Sequence, residues 1–270
     1  MSRRWSPSSL WALPVVAMVL PLLWAVLASF IPEQRLFTPQ IVPDALVLGH
    51  YRALFSQRDF WTPIRNSLIV AGTTTLLAVT LGAMCAYALA RLHFRGKRLI
   101  LTFLLAVSMF PQMAIVSPLY MILREAGLLN SYPGLVLPYL TFAMPLTIWM
   151  LVGFFRQLPA DLEEAAFVDG AGRWRCFREI VLPLSWPGLA TAAILTFLYS
   201  WNEFLFALSF TLGPERYTVP VAITLFRGQY QVPWGQILAA AVVATAPVAV
   251  MVLLMQRRII AGLTAGAVKG

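Results

Sequence analysis

Apolar and polar positions in this chain alternate on the scale of whole segments rather than single helical turns. Six predominantly apolar runs, at about 11–31, 68–90, 99–123, 135–155, 188–208 and 237–255, are separated by polar stretches. Roughly 20 apolar residues in a helix rising 1.5 Å per residue match a hydrocarbon core about 30 Å thick. In that core every backbone polar group must be satisfied internally, which runs of this length achieve as helices. The pattern therefore predicts an all-α polytopic membrane protein, with six transmembrane helices in a single domain covering 1–270. Pro14 and Pro21 are expected to bend the first helix, and Pro111-Gln112 and Pro118 to break the third. Polar interruption at that depth is tolerated inside a bundle or along a wet path.

Between these runs the polar stretches carry their own signals. The first run follows Arg3 and Arg4, as a signal peptide would, but it exceeds the usual 7–15-residue signal core and reads as a retained anchor. The segment 32–66 predicts an interfacial helix with Leu48, Tyr51, Leu54 and Phe55 on one side. The stretch 158–183 predicts two short helices around a turn. Asp161, Glu163 and Glu164 suit the positive end of the first, with Leu162, Ala165 and Ala166 forming its apolar stripe. Gly170 and Gly172 supply a stop open to positive φ. Trp174, Phe177 and Val181 begin the second helix, which Pro183 closes. In the fifth run, Asn202 and Glu203 are polar at membrane depth. A carboxylate there costs roughly 2.5–3.5 kcal/mol on insertion scales, so both are candidates to line a translocation path or to anchor hydrogen bonds between helices.

Composition sharpens this picture. At 60% hydrophobic and 11% charged residues, with mean hydropathy +0.77, the chain lies far from soluble domains, which run about 25% charged. The net charge of +9 sits beside apolar runs and is explained by the positive-inside rule, with no nucleic-acid partner. Placing both termini in the cytoplasm puts 13 of the 20 Lys and Arg on that side, including the compact turn Arg91-Leu92-His93-Phe94-Arg95-Gly96-Lys97-Arg98. Short loops govern orientation, so the stretch 158–183 is expected to be cytoplasmic. Cys85 and Cys176 lie in an apolar run and a polar loop and predict no disulfide; solitary His50 and His93 predict no metal site. No G-x-x-x-x-G-K-[ST] motif occurs, and no catalytic triad or paired acids, so neither ATP hydrolysis nor an intramembrane enzyme is expected from this chain.

The stretch 158–183 also carries a resemblance. Glu164-Ala165-Ala166, then Gly170 after three residues, then Ile180, Leu182 and Pro183 after nine more, match the EAA signature of the membrane subunits of ABC importers at all seven positions. The chain resembles the shorter six-span permease of the maltose and trehalose type of carbohydrate importer. NSLIVAGTTTLLAVTLGAMCAYALARLHFRGKR, SPLYMILREAGLLNSYPGLVLPYLTFAMPLTIW, SWNEFLFALSF and the ending QRRIIAGLTAGAVKG are all similar to that group.

The resemblance implies a type I ABC importer permease fold in a bacterial or archaeal cell (inner) membrane. Its cytoplasmic coupling loop would cover 156–186, and its cytoplasmic tail 256–270 would run along an ATPase. The implied partners are a second, different permease, two ABC ATPase subunits that bind ATP and Mg, an external solute-binding protein, the lipid bilayer and a sugar. In this scheme Glu164 pairs with a basic residue of the ATPase, and Ala165 and Ala166 let the helix seat closely. Gly170 sets the angle between the short helices, and Ile180, Leu182 and Pro183 tie the loop to the fifth span. Glu163 reads as a solvated neighbour of the docking acid. A disaccharide such as trehalose or maltose is the expected cargo, with glycerol phosphate or oligosaccharides as alternatives inside the family. Outside it, an ion-coupled secondary transporter or channel would use Glu203 and leave the EAA pattern unexplained.

Overall fold

The computed structural model describes residues 7–38, 46–226 and 232–264, with side chains over 14, 16–38, 46–226 and 232–254. Arg3, Arg4, Arg227, Arg257, Arg258 and Lys269, which enter the charge count, lie outside those side chains. All regular structure among the described residues is helical: α1 Pro7–Ala28, α2 Gly49–Ser56, α3 Trp61–Arg91, α4 Lys97–Ser108, α5 Gln112–Glu125, α6 Tyr132–Gln157, α7 Asp161–Val168, α8 Arg173–Cys176, α9 Leu182–Leu184, α10 Trp186–Asn202, α11 Leu205–Phe210, α12 Val219–Thr224 and α13 Trp234–Thr264. Two compact units result, one from residues 1–61 with 222–247 and one from 62–221 with 248–270.

Three helices are long and apolar enough to cross a bilayer alone: α3, α6 and α13 over Trp234–Leu254. Two bent pairs pass the same test together, α4 with α5 and Arg173–Leu184 with α10. The apolar run 11–31 falls on α1, which accommodates Pro14 and Pro21 within 22 helical residues.

The expected third span is two helices meeting at 93°. Proline cannot donate an N–H, and it disfavours the α region for the residue before it. Pro111 itself stands at the N-cap of α5 with an extended ψ of 118°. Pro118, expected to break the same span, sits inside α5 without interrupting it. The fifth expected span also stops short: α10 ends at Asn202, and Glu203 is extended with ψ 130° before α11 starts.

In the larger unit, α6 packs against α4 and α10, and α11 against α5 and α6. Gly188 makes one of these crossings possible, because a Cβ there would come within 2.5 Å of Phe154 Cγ. Lipid tails are as apolar as the helices, so close packing through small residues drives association more than burial does. Two buried clusters form at different heights. One joins Ala86, Tyr87, Leu151, Phe155, Cys176, Phe177 and Val181. The other joins Val70, Leu135, Tyr139, Phe142, Phe206 and Phe210. Beyond the second cluster a polar network closes the end of the unit. Asn66 Nδ2 donates to the carbonyls of Glu215 (3.0 Å) and Tyr217 (2.9 Å), and Tyr132 Oη donates to Asn66 Oδ1 at 2.8 Å.

In the smaller unit, Ser29 Oγ and Tyr51 Oη share a hydrogen bond of 2.7 Å, and His50 Nε2 lies 2.9 Å from the Ile31 carbonyl. The Glu33 carboxylate accepts the first amides of α13, Trp234 N–H at 2.8 Å and Gly235 N–H at 2.9 Å. The expected interfacial helix is α2; it buries Leu54 fully but leaves Leu48 exposed, just outside the helix.

Candidate functional site

Local sequence explains most of the stretch 158–183. Asp161, Glu163 and Glu164 occupy the first turn of α7, where carboxylates meet the positive end of the helix dipole. The helix stops in a Schellman motif: Gly170 N–H donates to the Phe167 carbonyl at 3.1 Å and Ala171 N–H to that of Ala166 at 2.9 Å. Gly170 has φ +81°, the left-handed conformation its position in the sequence led one to expect. From Arg173 the chain stays helical to Leu184, through a π turn over Phe177–Val181 that precedes Pro183. Pro183 therefore does not close the second helix. The break comes at Ser185, where the chain bends by 77° into α10. Ile180 and Leu182 pack against the cluster around Phe177, and Pro183 is exposed.

Two expectations for α7 are overturned. Its inward face is Glu163 and Ala166, while Leu162 and Ala165 face outward with Glu164. Glu163 is not a solvated neighbour: it is 7% exposed. The reason is a cation supplied by the end of α3. Arg91 Nε lies 2.6 Å from Glu163 Oε1, and Tyr87 Oη donates to Oε2 at 3.1 Å. The Arg91–Glu163 contact is an ion pair by distance, with its N–H not aligned on the carboxylate oxygen. Arg91 Nη2 also donates to the Leu158 carbonyl at 2.7 Å, fixing the entry to the loop. A buried carboxylate persists when paired with a cation and hydrogen-bonded, and both conditions hold here. Beneath the pair, burial pushes the Cys176 thiol up, and the Glu163 carboxylate adds to the shift. An open cavity of about 390 Å³ beside the pair is lined by Arg91, His93, Glu163, Glu164, Phe167 and Arg173.

Glu203 is buried as well, 6% exposed, with a different solution. It accepts the amide N–H groups of Phe206 at 2.8 Å and Ala207 at 3.1 Å, satisfying the open donors at the start of α11. Asn202 is exposed and donates to the Leu198 carbonyl at 2.8 Å. Neither lines the half-open cavity of about 320 Å³ bordered by the α4–α5 break, α6 and α10. Its polar wall is Ser108, Gln112, Thr196 and Tyr199, and its aromatic wall includes Phe110 and Trp149. Gln112 Nε2 donates to Tyr199 Oη. In the sequence Gln112 is a polar interruption and Arg91 part of a basic turn, while Tyr199 and Tyr87 carry no local signal. Their partners lie on other helices, beyond the reach of local pattern. Among the described residues no three His, Cys, Asp or Glu side chains gather into a metal-ligating group.

Residues 78–264 match the family described as binding-protein-dependent transport system inner membrane component. The chain is 47% identical over 254 residues to the trehalose transport system permease protein of Mycobacterium tuberculosis, covering 93% of each chain. It is 40% identical over 261 residues to the trehalose/maltose transport system permease protein of Thermococcus litoralis, covering 96% of this chain and 94% of that one. Its fold is similar to a chain of a solved bacterial ABC transporter involved in the import of the acidic polysaccharide alginate. There the TM-score is 0.80 at 19% identity, over 95% of this chain and 99% of that chain. The chain belongs to the inner membrane components of binding-protein-dependent transport systems, and is a permease subunit of an ABC sugar importer.

Proposed function

We propose that this permease carries a disaccharide such as trehalose or maltose, and that the loop 158–183 couples its movement to ATP hydrolysis on separate subunits. The cargo reading rests on the two relatives at 47% and 40% identity. The coupling reading rests on one observation: α7 is clamped to α3 through buried Glu163 while Glu164 and Ala165 face outward on the same short helix. A helix rigidly tied to a long membrane helix on one side, and unpartnered on the other, can transmit a push.

Six spans with both termini cytoplasmic place the loop and the basic end of α3 on the ATPase side. There two ABC ATPase subunits bind ATP and Mg, a second permease completes the membrane pathway, and an external binding protein delivers the sugar. Glu164 offers its carboxylate to a basic cleft, and Ala165 leaves room for close seating. Movement of α7 reaches α3 through Arg91 and α10 through Ile180, Leu182 and Pro183. Glu203, committed to the amides of α11, is poorly placed to bind a coupling ion.

Reconstitution of this chain with its partner permease, ATPases and binding protein tests the cargo. ATP-dependent uptake of labelled trehalose or maltose is the expected result. Uptake of neither sugar, in a complex that hydrolyses ATP and imports another solute, would overturn the assignment.

A further inference from the structure

We propose that the π turn over Phe177–Val181 sets the rotational register between α10 and the loop helices α7 and α8, and that Pro183 is the positioning residue that holds it. The inference rests on the coupling reading above and assigns a joint within it.

The backbone hydrogen bonds locate the joint. Upstream the helix is regular, with Cys176 N–H donating to the Gly172 carbonyl at 3.0 Å. Leu182 N–H then donates to the Phe177 carbonyl, five residues back rather than four. By Ser185 the regular spacing has returned, its N–H donating to the Val181 carbonyl at 2.9 Å. The turn therefore holds one residue more than an α turn, a π bulge of the kind frequent at functional sites.

That extra residue decides which side faces the bundle. Phe177, Val181 and Ser185, spaced four residues apart, are 4%, 1% and 0% exposed. In an unbroken α-helix each four-residue step overshoots a full turn by about 40°, so the three would drift across about 80°. The wide turn rotates each residue less and brings the three back into line, with Cys176 sealed beside Phe177. Return to α spacing at the same chain length would swing everything upstream by about 100° and advance it by about 1.5 Å. The Cys176 face would then leave the bundle, and the turn would work against the Arg91–Glu163 ion pair that holds α7.

Pro183 supplies the cause. It cannot donate an N–H, and its ring crowds the carbonyl four residues back, that of Glu179. Widening the turn ahead of it moves that carbonyl off the ring. Pro183 is itself exposed, so it contributes this constraint and little packing.

The test uses the complete transporter with Cys85→Ala, which leaves Cys176 as the single thiol of this chain. Uptake of labelled trehalose and ATP hydrolysis are read in proteoliposomes, and labelling of Cys176 in the same complex in detergent. Pro183→Ala should raise Cys176 labelling severalfold and lower uptake per ATP severalfold. Deleting Arg178 as well removes the surplus residue, so that an α turn spans the joint with both flanks in place. Arg178 is exposed, and its loss leaves Arg175 and Glu179 three apart, still neighbours on a helix. The chain with both changes should recover native labelling and native uptake per ATP, which a proline acting only as a rigid stop would not allow. If Pro183→Ala alone fails to assemble, the deletion should recover assembly. Native labelling in Pro183→Ala would overturn the proposal, and so would a defect that the deletion does not repair. Exposed Cys176 with native uptake per ATP in Pro183→Ala would leave the register as assigned and strike the coupling reading instead.

Discussion

The two buried carboxylates of the larger unit, Glu163 and Glu203, are nearly equal in burial and opposite in how that burial is compensated. Glu163 meets a guanidinium and a phenol from α3, groups remote in sequence. Glu203 meets chiefly the backbone amides three and four residues ahead of it, with the Tyr139 phenol of α6 beside the carboxylate but not aligned on it. The first is a tertiary clamp, and its loss frees α7 from the bundle. The second is a local cap, and its loss loosens the start of a short helix whose Phe206 and Phe210 remain packed. The difference is one of reach: a clamp ties two distant elements together, while a cap shapes the start of one.

Breaking the clamp should have the largest effect. Arg91→Leu leaves Glu163 buried and unpaired, which costs about 3–5 kcal/mol when one partner of a buried pair is removed. ATP-driven uptake should be lost while the protein still inserts. The loop's release should show as labelling of Cys176 by a thiol reagent, since that thiol is fully buried and held above the ordinary range in the intact protein. Reversing the pair, Arg91→Glu with Glu163→Arg, should restore part of the protection. Protection of Cys176 in Arg91→Leu equal to the native protein would mean that the clamp does not hold the loop.

Breaking the cap should cost less. Glu203→Leu strands two amides at about 1–3 kcal/mol, while Glu203→Gln keeps a carbonyl acceptor for at least one of them. Thermal unfolding in detergent should therefore rank native, glutamine, then leucine. A leucine variant as stable as the glutamine one would remove the capping role.

The smallest effect is expected at the turn between the loop helices. No heavy atom lies within 4 Å of a Cβ built on Gly170, so Gly170→Ala meets only the left-handed penalty of about 1–2 kcal/mol. Gly170→Val adds β-branching at the same φ and should be worse in loop protection and in uptake. Equal behaviour of both variants and the native chain would show that the Schellman turn does not set the loop's geometry.

What sequence could reveal divides along the same line. Helical runs, the break at Pro111 and the positive φ at Gly170 follow from residues close together in the chain, and reading them needs only periodicity and turn chemistry. The sharpness of the α4–α5 bend and the end of α10 before Glu203 depend on packing that periodicity does not encode. The burial of Glu163 was out of reach because its cation stands at the end of another helix, where Arg91 reads as one of several basic residues beside a membrane span. Gln112 was visible as a polar flaw in an apolar run, but its partner Tyr199 belongs to α10. The seven EAA positions form a pattern along the chain, and that pattern does not distinguish the inward acid from the outward one.

That distinction is the centre of the account: Glu163 holds the loop to the rest of the permease, and the proposed partner of exposed Glu164 is the ATPase. Uptake per ATP hydrolysed, measured in proteoliposomes whose permease carries Glu164→Lys, tests it most directly. Glu164 is exposed, so the substitution leaves the clamp and Cys176 protection intact. On the proposed docking it would set a like charge against a basic cleft, where such contacts cost several kcal/mol. The predicted result is a ratio at least about tenfold below that of the native complex, or no stable complex at all. A native ratio in a fully assembled transporter would contradict the account.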